Sequence, residues 1–141
     1  MADVTILRTD DLAVCHALRR AVFIEEQNVP EAEELDDLDD QAIHLLAVQN
    51  GRPVGTARLL TQGETGKIGR VCVLAQGRGQ GIGAALIDKA LSVLAAQPGV
   101  RRARLGAQVH AIAFYQRLGF VAVGPEYDDA GIAHRDMVRE L

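Results

Sequence analysis

The stretch from Lys67 to Ala84 joins an apolar strand to an amphipathic helix through a loop that carries four glycines. Glycine lets a backbone turn sharply and approach a ligand closely. The first turn of a helix adds unpaired N–H groups and the positive end of the helix dipole. A strand that leads through glycines into a helix start is therefore typical of a phosphate cradle, and we expect a phosphate-bearing ligand here.

Size and charge limit the classes of protein that this chain can be. It has 141 residues, 48% of them hydrophobic, which suits one compact domain over residues 1–141. The net charge of −4 provides no broad basic face for a nucleic-acid backbone, so we expect no nucleic-acid partner. No signal-peptide pattern opens the chain, and no apolar run approaches the ~18 residues of a membrane span. We expect no membrane partner and a cytoplasmic protein.

The two cysteines indicate neither a metal nor a disulfide framework. Cys15 falls on a predicted helix and Cys72 in a predicted buried strand, far apart in sequence. Metal motifs and disulfide frameworks need closer or more numerous cysteines. We therefore expect two reduced thiols that serve packing, and no bound metal.

Apolar periodicity and turn residues divide the rest of the chain. Strands are predicted over residues 4–9, 43–49, 53–60, 67–74, 101–107, 120–123 and 132–139. Helices are predicted from Asp10 or Asp11 through Val22, over 81–96 and over 109–117. The Asn50-Gly51 pair between two apolar runs is a strong hairpin signal. The order predicts fold class α/β, a single mixed central sheet of about six to seven strands flanked by about four helices.

The segment from Glu25 to Asp40 holds nine carboxylates and one proline. We expect no buried element there, but a solvated loop with a short helical turn. The alternative interpretation is a pocket rim that attracts cationic ligands.

The glycine loop fits more than one class of protein. Gly79-x-Gly81-x-x-Ala84 loosely matches the dinucleotide fingerprint, which belongs after the first strand of a βαβ fold. Here hairpin strands precede the loop, and arginines stand where an acidic residue should grip the ribose about 20 positions on. A nucleotide-dependent oxidoreductase and a purely structural turn are both alternatives. The chain contains no Gly-Lys-Ser or Gly-Lys-Thr of a Walker-type loop.

Arg78-x-x-Gly81-x-Gly83 after an apolar strand resembles the acyl-CoA pyrophosphate loop of the GNAT superfamily of acyl-CoA-dependent N-acyltransferases. The superfamily's downstream helix, which usually has Asn at the position of Gln108, resembles Gln108-x-x-Ala111-x-x-Phe114-Tyr115-x-x-x-Gly119-Phe120. Nearly the whole chain is similar to the ElaA or YjcF subgroup, through Leu18-Arg19-x-x-Val22-Phe23-x-x-Glu26-Gln27-x-x-Pro30, Glu34-x-Asp36-x-x-Asp39, His44 and Asp129-Ala130-Gly131-Ile132-x-His134-x-x-Met137.

The resemblance implies acetyl-CoA as co-substrate and acetyl transfer to a primary amine of a small molecule, by direct attack in a ternary complex. It also implies that the strand before the loop is bulged and separates from its successor, which frees main-chain groups for the pantetheine arm. A homodimer is left open. The residues assigned to acetyl-CoA are Val71, Cys72, Val73, Arg78, Gly79, Gln80, Gly81, Ile82, Gly83, Ala84, Gln108 and Phe114.

Two catalytic groups follow from the resemblance. Tyr115 is the candidate acid for the departing thiolate, because a phenol with a pKa of ~10 resembles a thiol. Glu26 is the first candidate base for the amine proton, with His44, His134 and a chain of water molecules as alternatives. The residues expected in the acceptor pocket are Arg19, Phe23, His44 and His134. A non-catalytic acyl-CoA-binding or sensor domain would keep the same cradle and is the alternative from another class.

Overall fold

The computed structural model describes residues 4–141, and all of its strands form one sheet. The strands are β1 Val4–Thr9, β2 Ile43–Gln49, β3 Arg52–Gln62, β4 Thr65–Val73, β5 Arg102–Gln108, β6 Val121–Asp129 and β7 Ile132–Glu140. The helices are α1 Leu12–Arg19, α2 Glu31–Glu34, α3 Ile82–Ala95 and α4 Ile112–Arg117, with a π-helical segment Arg20–Glu26 after α1. Short 3-10 turns cover Asp39–Gln41, Ala75–Gly77 and Val109–Ala111.

The sheet has seven strands in the order β1-β2-β3-β4-β5-β7-β6. Every neighbouring pair is antiparallel except β4 and β5, which are parallel. The sheet is therefore mixed and flanked by helices, which confirms the predicted fold class.

Turn-forming residues correctly predict the hairpin between β2 and β3 but wrongly predict the end of β6. Asn50 and Gly51 have φ of 52° and 77°, the positive values that a two-residue hairpin turn requires, and the predicted hairpin forms. By contrast, β6 continues to Asp129 instead of stopping near Val123. Gly124 and the following proline suggest a break, yet the strand passes them as an irregularity in its pairing with β7.

The two faces of the sheet bury different elements. On one face, α3 packs over apolar residues such as Leu45, Leu59 and Leu105. On the other face, α1 packs over Leu46 and Cys72. Because side chains alternate along a strand, the buried odd-numbered residues of β5 face α3, and its even-numbered residues lie on the α1 side. This alternation decides which β5 side chains reach the functional site.

Both cysteines are buried and unpaired, which confirms their predicted packing role. Burial raises the pKa of the Cys72 thiol to about 12. The thiol therefore stays protonated at neutral pH, and thiolate chemistry is unavailable to it.

The acidic segment is mostly exposed and contains the short helix α2, which confirms the predicted solvated loop with a short helical turn. Two of its carboxylates nevertheless turn inward, which the sequence did not indicate. The side chains of Glu34 and Asp39 are only 3% and 12% exposed. Asp39 accepts two hydrogen bonds from Arg19 Nη1 at 2.9 and 3.0 Å, and others from His16 Nε2 at 2.8 Å and Arg58 Nη1 at 3.3 Å. Buried cations make the buried carboxylate tolerable.

The network extends from β3 to the bulged strand β4. Arg58 Nη1 donates to Asp36 Oδ1 at 2.8 Å, and Arg70 Nη2 donates to Asp36 Oδ2 at 3.3 Å. Arg70 Nη2 also lies 3.0 Å from the carbonyl oxygen of Glu34. We call these residues the ion network; it fastens the acidic segment to the sheet and consists of Arg19, Glu34, Asp36, Asp39, Arg58 and Arg70.

Asp39→Asn should lower the free energy of unfolding by about 3 kcal/mol, because Arg19, 1% exposed, would keep its charge without its anionic partner. Urea denaturation at neutral pH measures the loss. The exposed neighbour Asp40→Asn is the control and should change stability by less than about 0.5 kcal/mol. Equal effects of the two substitutions would contradict a stabilising role for the network.

The free energies of unfolding of the wild type and of Asp39→Asn should become similar in acid. Although burial opposes ionisation, hydrogen bonds from His16 and Arg19 hold the pKa of Asp39 well below its usual range. A carboxyl whose pKa is lower in the folded state contributes stability above its unfolded pKa and loses it as pH falls. The difference between wild type and Asp39→Asn should therefore shrink below about pH 4.

Candidate active site

β4 and β5 pair at one end only. Residues 65–67 of β4 pair with residues 102–104 of β5, and the strands then separate. Against β3, Thr56 pairs with Cys72 and Arg58 with Gly69, which leaves one extra residue on β4. Arg70 lies in this bulge with φ of 51°. The bulge and the separation that the resemblance implied are both present.

The separation opens a cleft of about 760 Å³. Its walls include residues of the π-helical segment and α2 from the α1 side of the sheet, and Tyr115 of α4 from the opposite side. Nine of the predicted site residues line it: Phe23, Glu26, Val71, Cys72, Val73, Arg78, Gln108, Tyr115 and His134.

Arg19 and His44 do not line the cleft. Arg19 Nη2 donates to His44 Nδ1 at 3.2 Å, and His44 Nε2 donates to the carbonyl of Asp39 at 2.9 Å. Both ring nitrogens of His44 are therefore engaged, and its side chain is 4% exposed. The structure places these two residues against Asp39 of the acidic segment, away from the space that a substrate would occupy.

The glycine loop begins α3 without a side-chain cap. Gly79 and Gly81 have φ of 77° and 79°, and a Cβ at either position would meet no atom within 4 Å. Gly81 is the N-cap residue, and no side chain among residues 4–141 bonds the first helical amides. These amides have no carbonyl partner within the helix. At Gly83 a Cβ would lie 3.5 Å from Phe114 Cζ, so Phe114 packs directly against the loop.

Arg78 leaves this loop and bridges to the opposite wall. Its Nη1 and Nη2 donate to Glu26 Oε2 and Oε1, each at 2.6 Å, and its Nε donates to the carbonyl of Val73 at 3.0 Å. The hydrogen bonds from Arg78 lower the pKa of Glu26. In this arrangement Glu26 is an ionised, paired carboxylate, which makes it a weaker base than a free one.

Tyr115 lines the cleft and packs edge-on against two neighbouring aromatic rings. Its ring centroid lies 5.0 Å from that of Phe114 and 5.9 Å from that of Phe120. Burial raises the pKa of Tyr115 to about 12, so the hydroxyl is protonated at neutral pH. Within residues 4–141 no hydrogen bond involves this hydroxyl, which leaves it available to a ligand. The raised pKa makes it a weaker acid than the unperturbed phenol assumed from sequence.

Gln108, at the end of β5, connects this strand to the end of the π-helical segment. Its Nε2 donates to Gln27 Oε1 at 3.0 Å, and its Oε1 accepts from His110 Nε2 at 2.7 Å. Its amide therefore fixes the spacing of the two walls where the strands have parted.

Arg104, Tyr127 and Asp136 form a second polar cluster, besides the ion network of the acidic segment, on the α1 side of the cleft. The sequence did not indicate it. Tyr127 donates its hydroxyl to Asp136 Oδ1 at 2.6 Å, and Arg104 Nη2 donates to Asp136 Oδ2 at 2.6 Å. The residues come from β6, β7 and β5, so no local spacing relates them. The single signal in the sequence is Gly106, because a glycine inside a strand often marks a close approach.

A family model described as an acetyltransferase (GNAT) domain matches residues 10–141. The chain belongs to the GNAT acetyltransferase family. The uncharacterized N-acetyltransferase YjcF of Bacillus subtilis (strain 168) is 39% identical over 124 residues, which cover 87% of this chain and 88% of YjcF. The predicted relation to the ElaA or YjcF subgroup is thereby confirmed, and this GNAT chain is an acyltransferase.

Solved structures agree with the family assignment. The crystal structure of Escherichia coli ElaA matches with a TM-score of 0.84 and 34% identity, over 99% of this chain and 100% of that one. An acyl-CoA N-acyltransferase from Pseudomonas aeruginosa matches with a TM-score of 0.85 and 34% identity, over 99% of both chains. Among the described residues, no helix of this GNAT fold is long and apolar enough to cross a membrane.

Glu26→Gln should tighten acetyl-CoA binding by about two- to five-fold, the range of an exposed ion pair. Glu26 and a bound pyrophosphate would compete for Arg78, and a neutral amide competes less well. Isothermal titration calorimetry with acetyl-CoA measures the change. Glu25→Gln removes the same charge from the neighbouring exposed position and should leave affinity within about 1.5-fold. Unchanged or weaker binding to Glu26→Gln would contradict the competition.

Proposed function

We propose that this protein is an acetyl-CoA-dependent N-acetyltransferase that acetylates a primary amine of a small molecule by direct attack in a ternary complex. The observation that carries the proposal is the start of α3. There an uncapped helix with Gly81 at φ of 79° opens beside a strand whose edge has parted from its neighbour. Unpaired amides at a helix start favour an anion, and a free strand edge favours an extended amide-bearing chain. Coenzyme A has both an anionic pyrophosphate and an extended, amide-bearing pantetheine arm.

The residues around the loop fit the two parts of this co-substrate. The amides of residues 79–84 would hold the pyrophosphate, and Arg78 would add positive charge once released from Glu26. Val71, Cys72 and Val73 would pair with the pantetheine arm through their main-chain groups. Phe114 supports this site because it packs against Gly83. Gln108, bonded to Gln27, lies at the edge of the site where β5 ends.

The acceptor amine would enter from the α1 side. Phe23, Glu26 and His134 line the cleft there. Because elements packed on both faces of the sheet line a single cleft, both substrates can meet in it without an acyl-enzyme step. Glu26 supplies a carboxylate for the cationic acceptor when the pyrophosphate takes over Arg78.

Tyr115 is the group that we assign to the departing thiolate. Its hydroxyl lies in the cleft wall and stays protonated at neutral pH. A thiol has a reference pKa of ~8.5, so the thiolate is the weaker base, and proton transfer has to be coupled to cleavage of the C–S bond. The phenol therefore acts during departure of the sulfur, when negative charge develops on it.

Thiol release from acetyl-CoA, measured across a panel of primary amines, tests the proposed activity. We expect release that depends on at least one amine. Acetyl-CoA binding without amine-dependent release would instead indicate the non-catalytic sensor.

Gly81→Glu should weaken acetyl-CoA binding by about 100-fold or more, because a carboxylate would meet the phosphates at the helix start. Gly99→Glu is the matched control. Gly99 follows the other end of α3, also has φ of 79°, and likewise has no atom within 4 Å of its Cβ position. Both variants carry the same backbone strain, so calorimetric titration with acetyl-CoA isolates the effect of the charge. Equal affinities of the two variants would contradict the phosphate cradle.

Tyr115→Phe should lower kcat by about 100-fold and leave the Kd for acetyl-CoA unchanged, since the substitution keeps the ring packing and deletes a proton donor. Steady-state rates with an amine from the panel, combined with calorimetry, separate the two parameters. Wild-type kcat in the variant would remove Tyr115 from the mechanism.

A further inference from the structure

His134 lines the cleft, and one of its ring nitrogens has no hydrogen-bond partner among residues 4–141. Its Nδ1 lies 2.8 Å from the carbonyl oxygen of Ile132, so Nδ1 carries the proton and donates it. Nε2 then keeps a lone pair. Among residues 4–141, no hydrogen bond engages Nε2, and the side chain lines the cleft. A neutral ring with a fixed tautomer and an unbonded second nitrogen, on a residue that lines the cleft, meets the requirements of a proton acceptor.

The second polar cluster holds this ring in place. The His134 ring stacks on the ring of Tyr127, with centroids 5.9 Å apart and planes 22° from parallel. Tyr127 is anchored by Asp136, and Asp136 by Arg104, through the two 2.6 Å hydrogen bonds described above. The ring is therefore fixed by a carbonyl at one edge and by an anchored aromatic ring on one face.

Gly106 makes room for this arrangement. A Cβ at Gly106 would lie 2.5 Å from the Tyr127 hydroxyl oxygen, closer than two such atoms approach. Gly106 is on the face of β5 that carries Arg104, so the tyrosine crosses β5 where the strand has no side chain. Three strands thus contribute to one constellation around His134.

The other two candidate bases are less suited to take the proton. His44 is buried with both ring nitrogens bonded. Glu26 is bound to Arg78 through both carboxylate oxygens, and once the pyrophosphate takes over Arg78 its negative charge would hold the cationic acceptor. The titratable and charged groups that line the cleft on the elements next to His134 are Tyr127, Asp129, Asp136, Arg104, Lys67 and His110. They come from β6, β7, β5, β4 and the turn Val109–Ala111.

We propose that Nε2 of His134 accepts the proton of the acceptor amine, and that Tyr127, Asp136 and Arg104 are positioning residues for its ring. This assignment rests on the proposed function. The ammonium gives one proton to Nε2, and the freed lone pair forms the C–N bond to the thioester carbonyl carbon. The C–S bond then breaks, and the sulfur takes a proton from the Tyr115 hydroxyl. The second proton of the nitrogen restores Tyr115, and the proton on Nε2 passes to solvent.

Nuclear magnetic resonance of histidine-labelled protein tests the geometry without any acceptor. Carbon-13 and nitrogen-15 shifts distinguish the two neutral tautomers, and His134→Gln identifies the signals of this ring among the four histidines. We expect the Nδ1–H tautomer for His134. The Nε2–H tautomer would overturn the proposal, whatever the acceptor is.

Kinetics with an amine that the wild type acetylates test the role. His134→Gln should lower kcat/KM by about 100-fold with unchanged Kd for acetyl-CoA, and should abolish the acidic limb of its pH profile. Added imidazole should restore part of the rate in His134→Ala. Tyr127→Phe keeps the stacked ring but removes its hydrogen bond to Asp136. This variant should reduce kcat/KM by about tenfold and shift the acidic limb of the pH profile.

The outcomes separate this inference from the activity on which it rests. Amine-dependent release by the wild type, equalled by His134→Gln, would overturn the role of His134 and leave the acetyltransferase proposal standing. Absence of release with any amine would contradict the proposed function itself, and the base assignment with it. Loss of activity in His134→Ala without imidazole rescue and without a changed pH profile would indicate a merely structural ring.

Discussion

The separation of β4 from β5 after residue 67 is the constraint on which the rest of the structure depends. Strand edges inside a protein normally have partners, because an unpaired buried amide or carbonyl is costly. Here the extra residue at Arg70 turns β4 away from β5, and the free edge faces a cleft. The same strand leads into the glycine loop and the uncapped start of α3. The free strand edge is thus followed directly by the loop that begins α3, and Arg78 is the residue of that loop that lines the cleft.

A second constraint keeps one wall of that space in position. The acidic segment could not lie against the sheet unless its inward carboxylates found cations, and Arg19, Arg58 and Arg70 supply them from α1, β3 and β4. Arg19 and His44, which the sequence predicted in the acceptor pocket, instead hold Asp39 of the acidic segment. The wall that the ion network fastens carries the neighbouring side chains of Phe23 and Glu26 to the cleft.

Ion pairs also set the state of the cleft itself. Arg78 is paired with Glu26, and Arg104 with Asp136, so two of its cations already have anionic partners within the protein. The first pair is exposed to solvent and can exchange partners at small cost. The second is tied to Tyr127 and Gly106 and is held by the packing around it. Arg78 is therefore suited to binding a ligand, whereas Arg104 is suited to holding Asp136 in place.

The sequence by itself determined the order of strands and helices, the hairpin at Asn50-Gly51 and the glycine loop before α3. These features depend on apolar periodicity and backbone preferences that act within a few residues, so they can be read locally. Only the tertiary structure decided that Glu34 and Asp39 turn inward, that β6 continues past Gly124, and that Arg104, Tyr127 and Asp136 surround His134. Those outcomes depend on charge compensation and strand pairing between distant segments, which no local pattern records.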